Sequence, residues 1–346
     1  MKGKYLMYKR IFKSFSLATS VFAISSSLAI SEVNISGSMQ WHYLDQDPGT
    51  STSGASDNHF HSDNKVEFAL TNKTDSGLTI SMYQTIRSNG TEAVSAADSD
   101  GNYITLEGGF GYFSLGNSGG VGDELTPTAA DLIGPGSTDG KASTFYNSSS
   151  SLTSQQASLV NIIDAENNIT YKLPSIGGLT LGLSYKDAGQ GASENADETV
   201  VAGSYEFTSG DVTGSITYAS NSIDGATAGA AGLDSSAIGL TVSSGPFSLI
   251  LAQAEDDQSS TIVTEINDYG ISYAVSDALT FAVAGTEVTE TSGGETLDVT
   301  SVSAKYTIVN GLDAYLTYHD YDYGAGSSGL SADDGSATLI SIEATF

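Results

Sequence analysis

The residues with the clearest capacity for chemistry are histidines and clustered acids. His59-Phe60-His61 places two imidazoles two residues apart, so that on an extended segment both could face one metal ion. No third ligand stands at a fixed spacing from them, and a solvated surface loop is the alternative interpretation. The chain has no cysteine, which excludes thiol chemistry and cysteine-ligated metals. We therefore expect no metal centre and no cofactor.

Two further histidines, His42 and His319, could in principle activate a serine nucleophile. Each lies on the polar face of a segment in which apolar and polar residues alternate. A lipase embedded in a membrane would instead present its Ser–His pair on the apolar face, where its substrate lies. We therefore interpret both histidines as polar wall residues, and expect no catalytic residue and no enzyme activity.

Acidic clusters at Glu255-Asp256-Asp257 and Asp333-Asp334 are the third candidate. They lack the periodic Gly/Asp spacing of calcium-binding β-rolls. Two interpretations stay open: loose binding of divalent cations that bridge to anionic lipopolysaccharide, or a solvated acidic surface suited to a salty medium.

The charge of the chain excludes one large class of partner. Its 346 residues include 12 Lys and Arg against 41 Asp and Glu, a formal net charge of −29. Nucleic-acid binding requires a basic face, so no nucleic-acid partner is expected. Charged residues make up only 15% of the chain, below the roughly 25% of soluble globular domains.

The first 31 residues differ from everything after them. Five basic residues lie before position 14, an uncharged stretch covers 14–31, and the small residues Ala29 and Ser31 precede Glu32. This pattern predicts a secretory signal peptide over residues 1–31, with an N-terminal membrane anchor as the alternative. Residues 32–346 then hold 7 basic and 41 acidic residues, a net charge of −34.

Alternation of apolar and polar residues predicts β-strands throughout residues 32–346. Seven tight turns alternate with eight longer polar loops, near 44–62, 88–101, 118–165, 187–197, 220–233, 256–264, 290–296 and 322–335. These fifteen connections join sixteen strands. Short turns at one end and long loops at the other are typical of a transmembrane antiparallel β-barrel in an outer membrane. We therefore predict an all-β fold in which 32–346 form a single barrel domain.

The positions of the basic residues support a barrel whose polar face lines the lumen. The alternation of apolar and polar residues can be extended along each predicted strand. The Lys and Arg residues of the strands then fall on the polar face, which faces the lumen in a barrel. The predicted pore-wall residues are Lys65, Arg87, Lys172, Lys186 and Lys305, with the acids Glu67 and Glu107. A lipid-facing Lys or Arg at mid-membrane would cost roughly 2–4 kcal/mol.

The last predicted strand carries a further signal. Ile340, Ile342, Ala344 and Phe346 alternate with polar residues, and Phe346 ends the sequence. A terminal aromatic after such a run is similar to the assembly signal of bacterial outer-membrane barrels. We therefore expect export through the periplasm and recognition by barrel-assembly machinery. An ordinary edge strand is the alternative.

Two motifs flank the longest loop. Segment 109–116 reads GFGYFSLG, and segment 168–185 reads NITYKLPSIGGLTLGLSY. In this order and spacing they resemble the Gram-negative general diffusion porins, especially the alphaproteobacterial type, over residues 32–346. The resemblance implies a sixteen-stranded barrel, a homotrimer, and a long third loop that folds into the lumen and narrows it.

The third loop, near 118–165, is therefore expected to form the constriction. Its predicted constriction residues are Asp123, Glu124, Asp131 and Asp139, against the single base Lys141. The resemblance implies that acids on the loop face bases on the wall, here Lys65 and Arg87. The net charge predicts a negative vestibule that prefers cations.

The sequence thus favours a passive aqueous channel for small hydrophilic solutes and ions in the outer membrane. Two alternatives stay open. A substrate-specific channel would need an aromatic track, and the inward tyrosines lie on separate strands: Tyr83, Tyr103, Tyr315 and Tyr321. A structural or adhesive barrel would have a blocked lumen, whereas most inward positions here are Ser, Thr and Gly.

Overall fold

The computed structural model describes residues 32–47, 58–91, 98–134, 168–187, 197–223, 233–259, 262–291, 294–324 and 333–346. The segment predicted as a signal peptide lies outside these ranges, and so do the loop residues Asp139 and Lys141.

The described residues form sixteen strands, each of them antiparallel to its neighbours in the chain. The strands are β1 Glu32–Asp47, β2 Asn58–Lys73, β3 Thr79–Thr91, β4 Asp98–Gly108, β5 Gly111–Gly116, β6 Asn168–Lys172, β7 Leu179–Lys186, β8 Glu198–Ser209, β9 Val212–Ile223, β10 Leu233–Ser244, β11 Phe247–Ser259, β12 Ile262–Ser276, β13 Leu279–Glu290, β14 Thr296–Val309, β15 Leu312–Gly324 and β16 Asp333–Thr345. Strand β1 also pairs with β16, from Ser38 opposite Thr345 to Asp47 opposite Ser336, and this closes the barrel. The predicted sixteen-stranded antiparallel barrel is confirmed.

The two faces of the sheet are the reverse of those in a water-soluble sandwich. Large apolar side chains such as Leu181 and Val302 are more than 40% exposed, whereas polar ones such as Thr170, Ser184 and Ser341 are at most 1% exposed. Because successive residues of a strand point to opposite faces, apolar residues cover the outside and small polar residues line the inside. This arrangement suits a barrel surrounded by lipid.

Aromatic side chains mark the outer surface beside the tight turns. Phe247, Tyr273 and Phe281 are direct partners on three adjacent strands, and each is more than 40% exposed. Such a girdle is typical of the interface between lipid and water. No helix within the described ranges is long and apolar enough to span a membrane.

Several strands continue into segments that the alternation predicts as loops. Strand β11 extends to Ser259 and β12 begins at Ile262, although 256–264 is predicted as loop. Likewise β3 extends to Thr91 and β4 begins at Asp98. The ladder is held by backbone hydrogen bonds, so polar residues can continue a strand beyond the apolar belt.

Candidate pore constriction

The segment after β5 runs along the inside of the barrel. It contains a short helix, α1 (Val121–Leu125), and a 3-10 turn (Ala129–Leu132). Helix α1 contacts strands β6 to β9, and the 3-10 turn contacts β11 to β13. Residues 117–134 therefore follow the curve of the wall instead of crossing the lumen directly.

Glycines on the wall make room for this segment. A Cβ atom on Gly182 would lie 2.3 Å from a methyl carbon of Val121. One on Gly239 would lie 2.5 Å from Cδ of Pro127. These distances are too short for any real side chain, so only glycine permits the observed packing.

These glycines belong to a continuous surface of small residues, which we call the small-residue wall. It covers β7 to β13 and consists of Gly182, Ala202, Ala219, Gly239, Ala252, Gly270 and Ala284, all of them buried. Its alanines and glycines leave a groove, in which Val121 lies over Gly182, Pro127 over Gly239 and Ala129 over Gly270. The loop segment lies in that groove.

One buried carboxylate anchors the middle of the segment. Asp268 on β12 accepts hydrogen bonds from the hydroxyl of Thr128 (3.0 Å) and the backbone N–H of Ala129 (2.6 Å). Its other oxygen accepts one from Thr286 at 2.9 Å. Asp268 thus holds the first turn of the 3-10 helix, where backbone N–H groups lack helical partners.

Hydroxyl and amide groups anchor the start of the segment. The backbone N–H of Val121 donates to Oγ of Ser184 (2.8 Å), and the amide of Asn168 donates to the carbonyl of Ser118 (2.6 Å). Sequence reasoning missed these anchors and Asp268. Inward glycines at 182 and 239 were the available signal, because glycine in a strand interior marks a close approach of backbone.

The predicted constriction acids lie in different surroundings. Asp123 and Glu124 on α1 are exposed, and Glu124 forms an ion pair with Lys172 of β6. Asp131 lines a cavity of about 110 Å³ together with Lys305 and Tyr315. The loop acids are therefore divided between two parts of the inner wall.

The predicted pairing of loop acids with Lys65 and Arg87 stays a prediction, because loop residues 135–167 lie outside the described ranges; a wall partner of Arg87 is nevertheless defined. The guanidinium of Arg87 binds Asp63 of β2 through two hydrogen bonds, Nε to Oδ1 at 3.1 Å and Nη2 to Oδ2 at 2.9 Å. The register explains this partner, since Lys65 lies directly opposite Arg87 and Asp63 is the diagonal neighbour. Within the described ranges, Lys65 forms no ion pair with the loop.

Two other wall bases are also neutralised by acids on neighbouring strands. Nζ of Lys305 lies 2.8 Å from Asp313, and Nζ of Lys186 lies 4.0 Å from Glu198. Local pairing of this kind removes much of the positive field that unpaired bases would project into the lumen.

Comparison with known proteins adds one decisive observation. Residues 17–343 match the family model described as Gram-negative porin. The chain belongs to the Gram-negative porin family. Two solved structures of engineered variants of the Rhodopseudomonas blastica porin share its fold, with TM-scores of 0.63 and 0.62 at 15% and 16% identity. Each comparison covers 91% of this chain and 100% of the variant. No curated protein matches the chain.

Family and fold together place this porin in the outer membrane of a Gram-negative bacterium, as a transmembrane channel protein. The porin family is a family of channels and not of enzymes.

The porin also has a part of its inner wall built from large side chains, which we call the tyrosine wall. It lies on β3 to β6 and consists of Tyr83, Tyr103, Tyr112 and Lys172. Tyr83 and Tyr103 are direct partners and stack with ring centroids 4.6 Å apart and planes 15° apart. Tyr83 and Tyr103 are therefore in contact although they lie on separate strands. Their placement on separate strands is thus no argument against an aromatic track at this point of the wall.

Both inward histidines contact serines. Nδ1 of His42 lies 2.7 Å from Oγ of Ser341, and Nδ1 of His319 lies 2.6 Å from Oγ of Ser301. All four side chains are at most 7% exposed, so neither pair is open to a substrate. The side chains of His59 and His61 lie outside the described part of the porin.

The acidic clusters extend across neighbouring strands on the outer surface. Glu255 lies opposite Glu265, and a second row joins Glu287, Asp298, Asp322 and Asp334. Among the described residues, no group of three or more ligands is arranged to hold a metal ion.

The last residue pairs with the first strand. Backbone N–H and carbonyl of Phe346 both bond to Gly37 at 3.1 Å, and the Phe346 ring lies over that glycine. Ile340, Ile342 and Phe346 all face outward. Ala344 shares their face and is half-buried. The aromatic end of β16 thus covers the seam where the barrel closes.

Proposed function

We propose that this porin is a passive, water-filled channel for small hydrophilic solutes and ions, that it prefers cations, and that it is not an enzyme. The observation that supports this best is the course of residues 117–134. They lie in the groove of the small-residue wall, from β6 to β13, and so they narrow the lumen from one side. A barrel of sixteen strands is too wide for side chains to fill and leaves an aqueous channel.

The proposed cation preference rests on how the fixed charges are distributed. Arg87, Lys186 and Lys305 are each paired with an acid of the wall, and Lys172 is paired with Glu124. Asp123, Asp131 and Asp139 remain the further candidates for acids at the constriction. An excess of carboxylates in a pore concentrates cations.

Bilayer recordings test this proposal. Reconstituted porin should conduct ohmically, and its reversal potential in a KCl gradient should have the sign of cation selectivity. The preference should weaken with salt, because the Debye length falls from about 30 Å at 0.01 M to about 3 Å at 1 M. Anion selectivity would contradict the charge argument, and absence of conductance would favour a structural or adhesive barrel.

Charge variants locate the constriction. Neutralising Asp123, Glu124 and Asp131 together should reduce cation preference, whereas Lys65→Ala combined with Arg87→Ala should raise it. If neither set changes selectivity while deletions in another loop do, the constriction lies elsewhere.

We also propose a homotrimer that contacts lipid and lipopolysaccharide and is inserted by the barrel-assembly machinery, with Phe346 as part of the signal. Removal of Phe346 should reduce the amount of folded trimer on semi-native gels far more than it reduces the stability of barrels already formed. Unchanged trimer levels would contradict this role.

We propose that residues 1–31 are removed on export. N-terminal sequencing of the mature porin should therefore give a sequence that begins near Glu32. Retention of the basic residues before position 14 would instead indicate a membrane anchor.

A further inference from the structure

The tyrosine wall is surrounded by carboxylates. Glu67 on β2 is the diagonal neighbour of Tyr83 on β3, and Glu107 on β4 lies directly opposite Tyr112 on β5. Glu124 pairs with Lys172, whose ammonium group lies over the Tyr112 ring. Among the described residues, Glu67 and Glu107 form no hydrogen bond or ion pair. Around these rings, three carboxylates thus stand beside the one ammonium group of Lys172.

The structure already contains one example of what such surroundings bind. The ammonium nitrogen of Lys172 lies 4.1 Å from the centroid of the Tyr112 ring and pairs with the carboxylate of Glu124. A ring face and a carboxylate together are the usual recognition elements for ammonium groups in proteins. Tyr83, Tyr103 and Glu67 offer the same two elements, because the two rings stack and Glu67 is the diagonal neighbour of Tyr83.

The geometry points to a binding site for organic cations, of the amine or quaternary-ammonium type, on the lumen wall formed by Tyr83, Tyr103, Glu67 and Glu107. This inference rests on the proposed function, because it requires solutes to pass through the lumen. The rings are half-buried and Glu107 is exposed, so the site is open from the inside of the barrel.

A general cation preference would not predict this site. Carboxylates alone attract potassium and an organic ammonium ion equally, whereas a stack of two tyrosines adds affinity for the apolar, weakly hydrated cation. A neutral sugar could also stack on the rings, but it gains no charge attraction from the carboxylates of Glu67 and Glu107. Charge and rings together therefore favour the organic cation.

Choline and its uncharged carbon isostere, 3,3-dimethylbutan-1-ol, are a matched pair of probes. The reconstituted full chain is first tested for KCl conductance, and the concentration of each probe that halves the potassium current is then measured at low salt. Choline should act at a concentration several-fold lower than the isostere, since each accessible ring contributes roughly a two- to fivefold gain. Equal effects of both probes, or a stronger effect of glucose, would overturn the inference.

Variants assign the effect to the rings. Tyr103→Leu and Tyr83→Leu should each weaken the choline effect by roughly two- to fivefold, whereas Tyr103→Phe, which keeps the ring, should retain it. Tyr218→Leu is the matched control, because Tyr218 faces outward and is 54% exposed. An unchanged choline effect in both ring variants would overturn the inference.

Further variants assign the effect to the charges. Glu67→Gln with Glu107→Gln should weaken the choline effect, and Glu287→Gln on the outer surface should not. If all variants conduct potassium normally and choline blocks each of them as it blocks the wild type, the organic-cation site is wrong while the channel proposal stands. If the wild type does not conduct at all, both proposals fail.

Discussion

The two parts of the inner wall differ in side-chain size, and this difference decides where the loop segment lies. On the small-residue wall, glycines and alanines leave space, and Asp268 and Ser184 supply hydrogen bonds. On the tyrosine wall, the larger rings of Tyr83 and Tyr103 stack against each other. Small side chains thus line the part of the wall that the loop segment contacts most, whereas tyrosines line β3 to β5.

Loss of Asp268, the buried anchor of the loop segment, should have the largest effect on this difference between the two walls. Asp268→Ala removes the acceptor of three hydrogen bonds, two of them from the loop segment. Hydrogen bonds to charged groups contribute about 1.5–3 kcal/mol each, and part of this is offset because the carboxylate no longer has to be buried. We expect a larger and noisier single-channel conductance. Asp298→Ala, which removes an outward carboxylate, is the control and should leave the recordings unchanged.

Filling the groove should have the next largest effect. Gly239→Leu would place a side chain where Pro127 lies, and overpacking of this kind costs about 1–3 kcal/mol. The loop segment should leave the wall, which limited proteolysis of folded porin would detect as new cleavage near residues 121–134. Gly203→Leu is the matched control, since Gly203 faces outward between Tyr205 and Val201. Equal protection of both variants would show that the groove does not hold the segment.

Removal of one base from the tyrosine wall should have the smallest effect. Lys172→Met leaves the carboxylate of Glu124 without its partner, so the cation preference should rise. Both side chains are partly exposed, and such pairs contribute about 1 kcal/mol or less. The reversal potential in a tenfold KCl gradient at low salt measures the change. The double variant Lys172→Met with Glu124→Gln should return to the wild-type value, and a persistent shift would exclude the pair as its cause.

Much of the barrel could be predicted from the sequence, because alternation and turn residues act locally. The strand number, the closed antiparallel order and the apolar outer surface all followed from these patterns. The partner of Arg87 did not, because a diagonal contact with Asp63 depends on the register between β2 and β3. The same limit applies to Tyr83 and Tyr103, which lie opposite each other only in one register.

The role of Asp268 was out of reach for a different physical reason. An inward acid on a strand has the same sequence pattern whether it faces water or a loop backbone. Only the path of residues 117–134, which begins seven strands earlier in the chain, turns this carboxylate into an anchor. The helix α1 has five residues and the 3-10 turn has four, and helix propensity over such short segments does not predict that path.

The hydrogen bond from the backbone N–H of Ala129 to Asp268 also constrains the order of folding. The two residues are 139 positions apart in the chain, and contacts this distant form late because much chain entropy must be lost first. Strand β12 has to be in place before the segment can dock. Docking of the segment is therefore a late step of folding, and the lumen beside β12 reaches its final width only at that step.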